Sequence, residues 1–125
     1  KGKRIPDKLK TGKRYAGQKL PGEVAWFLRN SEDHVHPVGF KKPNELGIYD
    51  MSGNVEEWCS DWYDQGYYAS SPEQDPTGPA SGSSRVLRGG GWDDVPIYLR
   101  SCDRDYGTPG SRSSVIGLRV LCELE

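Results

Sequence analysis

No stretch of this 125-residue chain sustains the 3.6-residue apolar period of an amphipathic helix, and 16 Gly and 9 Pro punctuate it throughout. Together these features argue for a loop-rich β or α+β fold and against a helical bundle. With 34% hydrophobic residues, 125 positions make one small domain at most, or part of a larger one. A net charge of −1 gives no global field that would gather nucleic acid or an anionic membrane. The Lys/Arg cluster in residues 1–14 is local, and reads as a solvated, flexible terminal segment rather than a nucleic-acid arm. There is no apolar run long enough to span a bilayer and no signal-peptide pattern. The chain does not begin with Met, so the expectation is an upstream segment that carries any targeting information.

The coarse reading gives short strands joined by turns. Residues 22–27 are an apolar segment able to pack on a core, and residues 35–40 are extended by two Val and a Pro. Residues 41–45 read as a turn. Residues 46–51 alternate and end at a second turn, Ser52-Gly53-Asn54. Strands are expected at 55–63, 85–88, 98–100 and 117–121, the last with Leu118 and Val120 on one face. Residues 65–84, rich in Gly, Pro, Ser and Asp, form a surface excursion with local structure of its own. Cys59, Cys102 and Cys122 are too few, and odd in number, for a disulfide framework. Each adjoins an apolar stretch, so buried thiols are expected, with one bridge plus a single thiol as the alternative.

Residues 93–115 are notable for what they omit. This 23-residue window holds no Lys, Glu, Gln, Met or Trp, whereas the other 102 residues carry 24 of them (8 Lys, 8 Glu, 3 Gln, 1 Met, 4 Trp). At that rate the window should hold about five. These five types are the ones that a codon with free first and second bases and a final pyrimidine cannot encode. Such codons arise when the adenines of an Asn codon are randomised. The window lies between Arg88-Gly89-Gly90-Gly91-Trp92 and Ile116-Gly117-Leu118-Arg119. A varied patch between fixed blocks is how a binding surface is built for diversity.

Few constellations carry chemistry. Asp50 and Glu57 flank the Gly53-Asn54 turn, and carboxylates with inward carbonyls suit Ca²⁺, although the spacing is not that of an EF-hand. The alternative is a turn whose carboxylates cap backbone N–H groups. His34 and His36 would share a strand face but have no nearby Cys to complete a zinc site. There is no nucleophile elbow and no phosphate loop. The three glycines of 89–91 allow close packing or a bend, with Trp92 as a core anchor. Arg100, Arg104 and Arg119 read as forks that tie loops together.

Three blocks in order, Asn44 through Trp58, Arg88 through Trp92, and Arg100…Arg104…Pro109…Arg112…Ile116-Gly117-Leu118-Arg119-Val120, resemble the formylglycine-generating enzyme (sulfatase-modifying factor) family. The resemblance covers about residues 15–122 and implies an α+β, C-type-lectin-like fold. Typical family domains are about twice this length, so residues 1–125 look like a single unit forming the C-terminal half, with the first strands and helices supplied by whatever precedes Lys1. The resemblance places a calcium site on the side chains of Asp50 and Glu57 and the carbonyls of Gly53 and Val55. Catalytic members bind copper with a thiol pair just after the Arg-Gly-Gly block. Residues 92–99 hold no cysteine here, so neither copper nor the oxidase activity is expected.

A branch of the family, the variable proteins of diversity-generating retroelements, is more similar still. Its members place randomised residues between blocks like those of 88–92 and 116–119. That resemblance implies a non-catalytic ligand-binding display protein at the cell surface, with a protein or another cell-surface molecule as its unknown ligand. The variable positions would be Asp93, Asp94, Val95, Ile97, Tyr98, Asp103, Asp105, Tyr106, Gly107, Thr108, Ser111, Ser113, Ser114 and Val115. Tyr98 and Tyr106 are suited to be anchors, and the four Asp would favour a basic or hydroxyl-rich partner. The competing reading is a metal-dependent oxidase or sulfur-chemistry enzyme of the same family.

Overall fold

The computed structural model of the chain describes residues 14–15 and 20–122. The basic segment expected at 1–14 therefore lies almost wholly outside the described residues. Four strands form one sheet: β1 (Glu56–Trp62), β2 (Arg85–Arg88), β3 (Asp105–Gly107) and β4 (Ile116–Gly117), in the order β3-β2-β1-β4. β2 is antiparallel to both β1 and β3, and β4 runs parallel to β1. Two single turns of 3₁₀ helix, Pro21–Glu23 and Tyr67–Ala69, are the helical elements among the described residues. The second gives the 65–84 excursion its local structure.

β1 and β2 form where they were expected, because their β-branched and aromatic residues suit a pleated, half-buried surface. Glu57 pairs with Arg88 and Trp58 with Leu87, and a bulge follows before Trp62. Two expected strands take other shapes. Residues 98–100 lie in a tight turn begun by Pro96, with the Tyr98 and Leu99 N–H groups donating to the Val95 and Pro96 carbonyls. Turning there sends Leu99 inward, where it is 0% exposed. At the C-terminal end the ladder stops at Gly117, and Leu118 and Val120 are exposed instead of facing a core. Strand β3 was not foreseen, since Asp105 and Gly107 have low strand propensity and only Tyr106 favours pairing. Two further corrections concern burial. Cys59 is half-buried and Cys102 and Cys122 are exposed, because their apolar neighbours do not all turn inward. Trp92 is half-buried at the sheet margin rather than a core anchor.

The core cluster joins Tyr15, Val24, Ala25, Phe27 and Leu99, bringing the apolar 22–27 segment against the middle of the 93–115 window. It is pinned by the Ser52-Gly53-Asn54 turn. Ser52 Oγ donates to the Leu99 carbonyl at 2.9 Å. The Gly53 N–H donates to the Gly89 carbonyl at 2.8 Å, and Gly53 sits at φ +75° with the Trp26 carbonyl where a Cβ would project. Asn54 is 3% exposed and left-handed at φ +69°. Its N–H donates to the Trp26 carbonyl and its carbonyl accepts from the Trp92 N–H, both at 2.8 Å. Its side chain bonds both backbone groups of His36.

Asn54→Ala leaves His36 N–H and C=O unsatisfied and strains a left-handed position. Denaturant unfolding is expected to show a loss of about 2–4 kcal/mol. Gly53→Ala should cost more still, since the Trp26 backbone cannot yield as a side chain would.

Candidate functional site

Strand β1 separates two environments, because successive side chains point to opposite sides of a strand. Glu56 and Trp58 face the 93–115 window. Glu57 faces the segment around Asp50 and Arg119.

On the window side, the borders are clamped together. The Trp92 indole donates to the Ser114 carbonyl at 3.2 Å, and the Glu56 N–H donates to the Val115 carbonyl at 2.8 Å. Ile116 then pairs with Glu56. Leu99 fixes the middle, and β3 adds Asp105 and Tyr106 to the edge of the sheet beside β2. The arginines expected to tie loops do so. Arg100 Nε donates to the Ile97 carbonyl at 2.7 Å and its Nη2 meets Asp103 at 3.2 Å. Arg104 donates to the Asp64 carbonyl at 2.9 Å and lies over the rings of Tyr63 and Tyr68. Arg88 reaches the Asp103 carbonyl and the Tyr68 hydroxyl.

None of the fourteen candidate variable positions is buried. Asp93, Val95, Ile97, Tyr98, Asp105, Tyr106, Thr108, Ser111, Ser113 and Ser114 are exposed, and Asp94, Asp103, Gly107 and Val115 are half-buried. Ile97, Tyr98 and Tyr106 are each more than half exposed. Three of the half-buried four also serve the backbone or scaffold. Asp94 accepts from the Gly91 N–H at 2.7 Å, Asp103 pairs with Arg100, and Val115 supplies its carbonyl to β1. Gly107 packs on Trp58, whose ring lies 2.7 Å from where a Cβ would sit, so a side chain there requires Trp58 to move.

Glu56 was not singled out from the sequence. Its carboxyl is pushed up to about 7 by burial and then by the charges of Asp105, Asp94, Asp93 and Asp103. Burial, opposed by the Gly91 hydrogen bond, raises Asp94 as well. The signal that could have found Glu56 is the strand alternation, which puts it on the face opposite Glu57.

On the other side, Arg119 grips Glu57 in a two-pronged ion pair, Nε to Oε2 at 2.8 Å and Nη2 to Oε1 at 2.6 Å, and Nη2 also reaches the Tyr49 carbonyl at 3.0 Å. The hydrogen bond to Glu57 raises the Arg119 pKa further. Asp50, left-handed at φ +55°, accepts the Gly39 N–H on Oδ2 at 2.7 Å, whereas Oδ1 is buried with no hydrogen-bond partner. A cavity of about 490 Å³ opens here, lined by Val38, Ile48, Tyr49, Asp50, Glu57 and Leu118 among others.

At the expected calcium set of Asp50, Glu57, Gly53 and Val55, both Glu57 oxygens and one Asp50 oxygen accept hydrogen bonds, and the cation facing Glu57 is the Arg119 guanidinium. Among the described residues no three His, Cys, Asp or Glu side chains gather as a metal site. His36 stacks on Trp26 at 3.7 Å and its Nε2 contacts the Ser31 carbonyl, and His34 Nδ1 contacts the Glu32 carbonyl, so both are held by local structure.

Two outcomes follow. Added calcium should leave the melting temperature of the chain unchanged, while Arg119→Gln should lower it and make calcium stabilising, as read by thermal scans with and without the ion. For Glu56, the folded chain holds a proton that the unfolded chain has lost between about pH 4.5 and 7, so this group makes stability fall as pH rises through that window. Glu56→Gln should therefore raise the melting temperature at pH 8 and leave it near wild type at pH 4.

Comparison with known proteins agrees with this geometry. Residues 4–124 match the family model described as the sulfatase-modifying factor enzyme 1-like domain. The chain is 37% identical to the formylglycine-generating enzyme of Streptomyces coelicolor, over 94% of this chain and 46% of that one. It is 39% identical to the serine/threonine-protein kinase Pkn1 of Chlamydia trachomatis, over 94% of this chain and 21% of that one. Among solved structures, Treponema denticola variable protein 1 superposes with a TM-score of 0.79 at 41% identity, over 86% of this chain and 40% of that chain. The chain thus spans less than half the length of these relatives. Its sheet-rich, helix-poor architecture is the C-type-lectin-like fold of the variable protein, and the chain belongs to the sulfatase-modifying factor enzyme 1-like family.

Proposed function

We propose that this protein is a non-catalytic ligand-binding scaffold whose specificity resides in a diversified surface formed by residues 93–115. The observation that carries the reading is the division of the window by burial. Leu99 is its one fully buried side chain, and the positions that could have arisen from Asn codons lie on or near the surface. Fixed residues hold the loop at its borders, its middle and its edge, and the rest are available for contact. The likeness to Treponema denticola variable protein 1 supports the same reading.

Tyr98 and Tyr106 supply broad amphipathic contact area at low entropic cost, with Val95 and Ile97 beside them. Tyr106 is backed by Tyr63, ring to ring at 4.3 Å, which makes it the stiffer of the two. Asp93 and Asp105, with Glu56 behind them, favour a basic partner. The ligand is a protein or another cell-surface molecule, and the protein works at the cell surface. Binding at this face needs no calcium, because the Asp50 side of β1 lies away from it. Among the described residues no helix is long and apolar enough to cross a membrane.

The formylglycine-generating enzymes among its relatives raise a second reading, oxidation of a substrate thiol. The absence of any cysteine from residues 92–99 weighs against it. Oxygen consumption by copper-loaded protein with a cysteine peptide would favour the enzyme.

The gene gives a direct test. Codons at the candidate positions should end in pyrimidines and differ from Asn codons only where adenines stood, with a near-identical Asn-rich template and a reverse transcriptase nearby. Ser111, Ser113 and Ser114 encoded by TCN with no such template would sink the proposal. At the protein level, Ala at Asp93, Val95, Ile97, Tyr98 or Tyr106 should shift unfolding by no more than about 0.5 kcal/mol. Leu99→Ala should cost about 2–5 kcal/mol in the same assay.

A further inference from the structure

Strand β3 has two unlike faces. At Gly107 a Cβ would meet the Trp58 ring at 2.7 Å and Leu87 at 3.4 Å, so that side of the strand looks toward Trp58. Because side chains alternate along a strand, Asp105 shares this face and Tyr106 takes the other. The first face is acidic: the Glu56 carboxyl feels the charges of Asp105, Asp94, Asp93 and Asp103 there. The second is aromatic and cationic. Tyr106 stacks on Tyr63 at 4.3 Å between ring centres. The Arg104 guanidinium lies 4.6 Å from the centre of the Tyr63 ring and 4.4 Å from that of Tyr68. Three elements meet in this cluster: β3, the residue that follows β1, and the Tyr67–Ala69 turn of the 65–84 excursion.

The cluster is held in place yet open. Arg88 Nη2 donates to the Tyr68 hydroxyl at 2.9 Å, and the Tyr67 hydroxyl accepts the Gly78 N–H at 3.1 Å, which ties the excursion down. Tyr68 and Tyr106 are still 59% and 55% exposed. A guanidinium held against aromatic rings loses little freedom when its N–H edge takes a planar acceptor. Arg104 Nη2 bonds the Asp64 carbonyl at 2.9 Å, and this is its one hydrogen bond among the described residues, so Nε and Nη1 can serve such an acceptor. Tyr and Arg together are also the side chains that dominate binding energy at protein interfaces.

We propose that Tyr63, Tyr68, Arg104 and Tyr106 form a subsite for an acidic side chain of a protein partner, whose apolar neighbour lies on the two exposed rings. Tyr63, Tyr68 and Arg104 are not among the candidate variable positions. The subsite therefore stays constant while the acidic face varies, and a partner presents a basic group to one face of β3 and a carboxylate to the other. For its biological role this subsite rests on the recognition surface proposed above, but its chemistry is tested separately.

The test titrates the chain with the capped dipeptide acetyl-Phe-Glu-amide, its neutral counterpart acetyl-Phe-Gln-amide, and a heparin tetrasaccharide, followed by NMR of the tyrosine rings and arginine Nε–H groups. The Glu peptide should shift Tyr63, Tyr68, Tyr106 and Arg104 and bind about tenfold more tightly than the Gln peptide. Arg104→Lys, which keeps the charge and removes the planar fork, should abolish that preference. Tyr68→Leu should weaken both peptides, and Asp93→Asn, on the acidic face, should change neither. Equal affinity for the two peptides would overturn the proposal. So would tighter binding of the tetrasaccharide at the same resonances, since the site would then serve sulfated glycans. If Arg104→Lys lowers the melting temperature, Tyr68→Leu decides: unchanged affinity for the Glu peptide overturns the subsite, and a loss supports it. Codons that show no diversification at 93–115 would remove the proposed function and leave these titrations standing.

Discussion

Asn54 is the residue on which the rest of the structure depends. Three segments far apart in sequence, around Trp26, His36 and Trp92, meet on its four polar groups. With so little apolar surface buried, hydrogen bonds at buried positions must set the loop geometry here, and each is costly to leave unmade. Gly53 and Ser52 extend the same knot to Gly89 and Leu99. Only a turn with two left-handed residues, small at its first and amide-bearing at its second, can present all these groups at once. The fixed blocks at 44–58 and 88–92 are thus two sides of one joint.

From that joint β1 runs out as a partition. Because its side chains alternate, adjacent glutamates meet opposite fates. Glu57 is neutralised by the Arg119 fork, and Glu56 looks toward four aspartates. The same strand therefore divides an ion-paired face from the acidic, exposed face that we propose as the recognition surface. Variation can accumulate on the second without disturbing the first.

Much of this was legible in the sequence, for identifiable reasons. The strands at 56–62 and 85–88 announce themselves through Trp58, Trp62, Val86 and Leu87, whose bulk and branching belong on a half-buried sheet. The arginine ties were legible because Arg100, Arg104 and Arg119 sit in segments with carbonyls and carboxylates to fork onto. Residues 98–100 were misread because local propensity favoured a strand, while Pro96 and the cavity for Leu99 imposed a turn. Leu118 and Val120 alternate as a buried strand would, but among the described residues nothing covers them. Glu56 went unnoticed because its environment is assembled from β3 and the 93–94 turn, which are distant in sequence. Gly107 illustrates the reverse case: composition made it a candidate for variation, and Trp58 packs against it.

The central claim is that the scaffold holds residues 93–115 so firmly that the surface positions can vary freely. The most direct measurement is a library in which those positions, Gly107 excluded, are randomised together with pyrimidine-ending codons while Trp92, Leu99, Arg100, Arg104 and Ile116 are kept. It is sorted for protease resistance beside a library of equal size that randomises residues 44–58. The account predicts that most members of the first library stay folded and almost none of the second do. Similar losses in both would contradict it, because the window would then be part of the fold rather than a surface carried by it.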